Sequence, residues 1–255
     1  MSGRKDREER REERLRAEEE AAGGDRRRRL LQVASAAVFL TAAVVLVLIV
    51  VNANKSSGGD ASSIQHVDTV ESLLHGIPQR GLTLGEPGAK VTLVEFGDLK
   101  CPVCKAFSEE VIPPVIESKV RDGSAKIEFR NFTIIDAEST PAGAAAIAAG
   151  KQGRGWQFIE IFYRNQGNET AHYVTGEFLM AVAKAAGVAD IARWNRERKS
   201  TRILAEVAKT TEEAEGLGFE GTPSFAVSGP AGEGLEALGT VEAGALEAAI
   251  DHAAG

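Results

Sequence analysis

The chain has 255 residues, a formal net charge of −7 and only two cysteines. That length suits one medium domain with extensions. Two cysteines and four histidines without ligand spacing do not supply the roughly four ligands of a zinc site, and the mixed signs of the charged stretches argue against a nucleic-acid surface.

Residues 1–29 hold eleven Lys or Arg and nine Asp or Glu. Their alternating signs fit either a solvated helix or a disordered segment, and there are too few apolar side chains for a core. Arg26-Arg27-Arg28-Arg29 then abuts Leu30 to Val51, a stretch with no charged residue. Roughly 20 apolar residues cross a bilayer core, and a cluster of arginines stays on the cytoplasmic side. The sequence therefore predicts one transmembrane helix over 30–51, with the N-terminus cytoplasmic and the rest extracytoplasmic. The alternative is a leader cleaved after Val51-Asn52-Ala53, but the apolar run exceeds the usual 7–15 residues of such a segment.

Residues 52–81 form the expected linker. Its small, polar start, Asn52 to Ser63, is a flexible tether. Ile64 to His75 predicts a short helix with Val67, Val70 and Leu74 on one side, and His66 and His75 in solvent. Leu82-Thr83-Leu84 is a short leading strand, and Val91 to Gly97 (VTLVEFG) a buried one.

Cys101-Pro102-Val103-Cys104 follows, where this strand hands over to a helix. Pro102 suits the first helical position. That puts Cys101 at the helix N-terminus, where unpaired N–H groups and the dipole favour a thiolate. The second sulfur is one turn on, so Cys101 is expected to be the exposed, low-pKa thiol and Cys104 the buried one. A structural disulfide over so short a loop removes little chain entropy. Redox chemistry is thus the leading reading, against a metal half-site or inert thiols. Lys100 is expected to be solvated rather than to act on the thiolate.

Pro113-Pro114 breaks or kinks the cysteine helix, and Asp122-Gly123 ends its continuation. Lys126 to Phe132 alternates as a second strand, which a right-handed crossover makes parallel to the first. From about 136 to 215 the chain is helical throughout. Pro141–Lys151, Trp156–Arg164, Phe178–Ala186 and Ile203–Ala214 are the predicted segments, and Trp156, Phe158 and Trp194 are packing residues. Gly221-Thr222-Pro223 then opens a short apolar strand. Leu235 to Gly239 pairs with it as a hairpin, and Val241 to Ala254 is a final helix with Leu246 and Ile250 inward.

This order of strand, C-P-V-C helix, strand, helical insert, T-P strand, hairpin and helix resembles the DsbA-like thiol–disulfide oxidoreductases. The resemblance covers roughly Leu82 to Ala254 and implies an α/β fold: a thioredoxin fold with an inserted helical domain, over 82–255. It implies that Cys101 is the nucleophile and Cys104 the resolving thiol. Pro223 matches the family's cis-proline and Thr222 the residue whose backbone pairs with a bound peptide. Pro102 and Val103 are the dipeptide facing substrate, and Glu95 matches the buried acid that moves the second cysteine's proton.

No cofactor and no metal are implied. The implied partners are exported proteins with free thiols and a membrane re-oxidase, either vitamin K epoxide reductase-like or DsbB-like, with no nucleic acid. One departure is Val103, since the strongest oxidants of the family carry histidine there. The expected activity is donation of disulfides. A reductase or isomerase, or a non-redox peptide-binding module on the same scaffold, are the alternatives. Residues 52–81 are too few for the separate dimerisation domain that isomerases of this kind usually carry.

Overall fold

A computed structural model describes residues 64–232, 234–238 and 242–255. The charged segment, the expected span at 30–51 and residues 52–63 of the linker lie outside them. Among the described residues no helix is long and apolar enough to cross a membrane.

Six strands form one sheet: β1 (Gln79–Arg80), β2 (Thr83–Leu84), β3 (Val91–Gly97), β4 (Ala125–Asn131), β5 (Ser224–Ser228) and β6 (Glu236–Leu238). Their order across the sheet is β1-β2-β4-β3-β5-β6. The β3–β4 pair is parallel, as a strand–helix–strand crossover requires, and the other pairs are antiparallel. β3 is central, with Glu95 opposite Phe129 on one side and Phe225 on the other.

The alternation of side chains along β3 divides two cores. Val91 and Leu93 enter the main one, which also holds both cysteines, while Val94 and Phe96 enter a second with Phe132, Ala214 and Ala226. Glu95, two residues beyond Leu93, therefore lies on the cysteine side of the sheet.

Before the sheet comes α1 (Val67–Leu74). Val70 and Leu74 belong to the main core. The stretch 64–81, which the sequence assigns to the linker, thus carries an element packed into the fold; its short apolar pattern, rather than its length, decides this.

The cysteine helix α2 (Pro102–Glu110) is followed by α3 (Ile112–Val115) and a π-helical turn, Ile116–Val120. Pro113 and Pro114 occupy the first turn of α3, where proline's missing N–H has no intrahelical partner to lose. The expected break thus falls at Val111, and the prolines lie in a new helical piece that starts at Ile112.

Five helices join β4 to β5: α4 (Ser139–Gly150), α5 (Gly155–Arg164), α6 (Gly176–Ala185), α7 (Ile191–Glu197) and α8 (Thr201–Gly216). The alanine-rich α4 is buried over most of its length and packs against α5, α7 and α8. Small side chains permit that close approach. Trp156, Phe158 and Trp194 are all buried, and the two indole N–H groups donate to the carbonyls of Leu82 and Ala145. The closing helix α9 (Ala243–Ala254) buries Leu246 and Ile250, packing on β3 and α3.

Candidate active site

The β3–α2 junction is built by Asp98. Its carboxylate accepts the backbone N–H groups of Lys100, Ile134 and Ile135 at 2.9, 2.9 and 3.0 Å, tying this loop to the one after β4. Its carbonyl accepts the Cys101 N–H at 3.0 Å and the Tyr163 hydroxyl at 3.3 Å. From the insertion, the Gln166 side chain donates to the carbonyls of Leu99 and Cys101, at 2.7 and 3.1 Å. The nucleophile's backbone is thus held from both sides.

Cys101 is the N-cap of α2, in extended conformation, and its Sγ accepts the Cys104 N–H at 3.4 Å. Both cysteines are free. The Cys104 thiol and the backbone N–H groups of Cys104 and Val103 favour charge on Cys101, and outweigh its burial. They bring its pKa down to about 6. Burial does the reverse to Cys104, with Cys101 adding to the effect, so that its pKa rises well above that of a free thiol.

Neither thiol is freely exposed. Cys101 is 4% accessible and Cys104 fully buried, so the expected contrast is one of charge more than of exposure. The cover comes from the Thr222–Pro223 segment. The peptide bond between these two is cis, and the Thr222 carbonyl oxygen lies 3.4 Å from Cys101 Sγ. Pro223 precedes β5 rather than lying inside it, which spares the sheet a missing donor. Pro102 and Val103 face outward, Val103 at 51% accessibility.

Glu95 is buried, and its Oε1 has no hydrogen-bond partner. Burial first, then the negative charge of Glu160 and of Cys101, push its pKa up to about 8, so it is protonated at neutral pH. Cys101 Sγ thus lies against Cys104 and Thr222, and Glu95 is on the cysteine side of the sheet.

Lys100 is a correction. It is not solvated but buried, with Nζ 2.5 Å from Asp136 and 3.0 Å from Glu138, and 5.4 Å from the centre of the Tyr173 ring. Burial works against its charge, but the two carboxylates more than offset that and hold its pKa above the ordinary lysine value. Its ammonium is committed to the insertion, so Lys100 joins the active-site loop to that domain.

Sequence reasoning missed Asp98, Glu160, Tyr163 and Gln166. The one available signal was Glu160, a carboxylate inside the otherwise apolar run FIEIF. No group of three or more His, Cys, Asp or Glu among the described residues is arranged to hold a metal ion.

A helix-capping cysteine, a buried partner thiol one turn on, a carbonyl against the first sulfur and a protonated acid beneath define a thiol–disulfide oxidoreductase. Residues 79–243 match the family model described as Thioredoxin. A relative in Bacillus cereus, "Probable disulfide bond formation protein D", is 32% identical over 150 residues, which are 58% of this chain and 69% of that one. The crystal structure of oxidised BdbD from Bacillus subtilis shares the fold at 22% identity, with a TM-score of 0.59 over 69% of this chain and 96% of that one. A thioredoxin-like oxidoreductase from Silicibacter pomeroyi is 29% identical, with a TM-score of 0.54 over 72% and 96%. The chain belongs to the thioredoxin family, with the helical insertion of its DsbA-like members.

Proposed function

We propose that the chain is an extracytoplasmic donor of disulfide bonds to exported proteins, held at the membrane by one helix over residues 30–51. The observation that carries the reading is the place of Cys101 as N-cap of α2, where its Sγ accepts the Cys104 N–H at 3.4 Å; this setting holds its pKa down to about 6. This thiolate exists only in the reduced enzyme. Stabilising it raises the reduction potential and makes the Cys101–Cys104 disulfide the better oxidant.

In the forward reaction a substrate thiolate attacks Cys101 Sγ, and Cys104 leaves with the electron pair of the broken S–S bond. A second substrate thiol then attacks the mixed disulfide and releases Cys101 as thiolate. The substrate has lost two electrons, and the enzyme holds them as a dithiol. Glu95 protonates the departing Cys104. Thr222 offers its backbone to an extended peptide beside the sulfur, Pro223 shapes that segment, and the outward Pro102 and Val103 meet the bound chain. A membrane re-oxidase, vitamin K epoxide reductase-like or DsbB-like, restores the disulfide. Arg26 to Arg29 before the apolar run support a cytoplasmic N-terminus, and thiols outside the membrane lack a reducing pool.

Thiol trapping on wall-stripped cells tests location and direction together. A membrane-impermeant alkylating reagent is expected to leave most of the chain unmodified until dithiothreitol is added, and then to label it. Labelling without reductant would mean a dithiol at steady state, and no labelling until the cells are lysed would mean the wrong side of the membrane.

A further inference from the structure

We propose that Gln166, just past the C-terminus of the insertion helix α5, is a positioning residue that holds Cys101 in the conformation in which it caps α2. The inference rests on the redox reading above and adds to it the part the insertion plays in the chemistry.

The geometry starts from the four residues that lead into α2, each of which the insertion grips. The Tyr163 hydroxyl donates to the Asp98 carbonyl. Lys100 reaches Asp136 and Glu138 with its ammonium. Gln166 Nε2 donates to the carbonyls of Leu99 and Cys101, at 2.7 and 3.1 Å. Among these grips, that of Gln166 lands on the nucleophile itself. Its NH2 group has two hydrogens, one for each carbonyl. Reversed, the amide would set its own oxygen against two carbonyl oxygens, so a single orientation fits the site.

The backbone beneath Gln166 is fixed in turn. Its N–H donates to the Tyr163 carbonyl at 3.1 Å. The neighbouring Asn165 side chain exchanges two hydrogen bonds with the Gln65 backbone, at 2.8 and 3.0 Å, and donates to the Ile161 carbonyl at 2.8 Å. Gly97, at the end of β3, leaves room for Tyr163: a Cβ there would stand 3.1 Å from the hydroxyl and 2.6 Å from the Phe129 ring. Gln166 therefore meets the cysteine loop from a set position.

What it holds matters because the support of the thiolate is geometric. Cys101 Sγ meets the Cys104 N–H while the residue keeps its extended capping conformation, φ −72° and ψ 121°. The Cys101 carbonyl that Gln166 binds also accepts the Lys105 N–H at 3.2 Å, the first hydrogen bond of the helix. One amide thus fixes the loop two residues before the cap and the carbonyl of the cap itself. Removing its donors frees Cys101 to turn out of the cap, and the sulfur loses an N–H group that favours its charge. The disulfide form has no thiolate to lose. The loss therefore falls on the reduced enzyme and makes the disulfide a weaker oxidant. The titratable groups that act with Cys101 are Cys104 on the same helix, Glu95 on β3 and Tyr163 on α5, and a change at Gln166 removes none of them.

The test is the pH dependence of Cys101 alkylation in the reduced full-length chain, beside its equilibrium with glutathione at pH 7. Gln166→Met keeps the length of the side chain and loses both donors; Gln166→Ala loses them and admits water. In both, the half-point of alkylation is expected to move up by roughly one pH unit, the worth of one hydrogen bond to a charged group. A half-point moved from about 6 to about 7 lowers the equilibrium constant for reduction by glutathione at pH 7 roughly fivefold. Gln166→Glu keeps the shape but sets a carboxylate against two carbonyls, and an upward move at least as large is expected. Unmoved half-points in the methionine and alanine variants would overturn the proposal, whatever their stability. A move in the glutamate variant alone would trace the effect to added charge and overturn it too. A wild-type half-point at the ordinary thiol value would instead sink the redox reading on which it stands.

Discussion

Replacing Cys104 with serine is expected to fill the cell with mixed disulfides between Cys101 and its substrates, while Cys101→Ser forms almost none. The asymmetry follows from the two sulfurs' surroundings. Cys101, with a pKa of about 6, is mostly thiolate at pH 7 and keeps a small accessible surface. Cys104 is fully buried, and its pKa is raised well above that of a free thiol, so it offers almost no nucleophile to an incoming disulfide. Without Cys104 nothing inside the protein can resolve the mixed disulfide. In the reduced wild-type chain, alkylation of Cys101 is expected to reach half its maximal rate near pH 6, with Cys104 reacting only in strong alkali. Equal alkylation of the two thiols at pH 6, or equal trapping by the two variants, would contradict the assignment. Gel shift on non-reducing electrophoresis reads the trapping directly.

Asp98→Ala is expected to lower stability while leaving both cysteines in place. The carboxylate is buried and accepts three backbone N–H groups from two loops. Removing it leaves the buried Lys100 N–H without a partner and turns the part-buried Ile134 and Ile135 N–H groups over to water, and an unsatisfied buried donor costs about 1–3 kcal/mol. A loss of about 1–3 kcal/mol is therefore expected in denaturant unfolding of the oxidised form. Asp98→Asn keeps one acceptor oxygen but turns an NH2 group toward an N–H, and is expected to fall between wild type and alanine. A loss below about 1 kcal/mol for Asp98→Ala would mean that water or a shifted loop replaces the carboxylate.

The pattern of residues made part of this arrangement legible. The apolar β3 run, Pro102 at the helix start and the Thr-Pro before β5 are local signals, and each lies where periodicity and turn chemistry place it. Glu95 was accessible to the same reasoning, because apolar neighbours on both sides of an acid in a central strand imply burial. Lys100 was not. Its sequence neighbourhood is that of an exposed loop, and its partners Asp136 and Glu138 lie more than thirty residues away. The same holds for Asp98, whose role depends on where the loop after β4 returns. Glu160 is a lone carboxylate in an apolar helix, a signal the sequence reading passed over, and only the packing of α5 against α2 reveals that Ser108 holds it.

The central claim is that this fold makes the Cys101–Cys104 disulfide an oxidant. A thiol with pKa about 6 gains on the order of 1.4 kcal/mol at pH 7 from its ionised form, which is about 30 mV for a two-electron couple. The Val103 side chain, unlike its backbone N–H, adds no hydrogen bond to that thiolate. A neutral hydrogen bond is worth about 1 kcal/mol net, so its absence weakens the oxidant by some tens of millivolts at most. The most direct measurement is equilibration of the purified full-length chain in glutathione buffers at pH 7, with the dithiol fraction read by alkylation. The predicted result is a potential above thioredoxin's value of about −270 mV; one at or below it would contradict the account and make the chain a reductase.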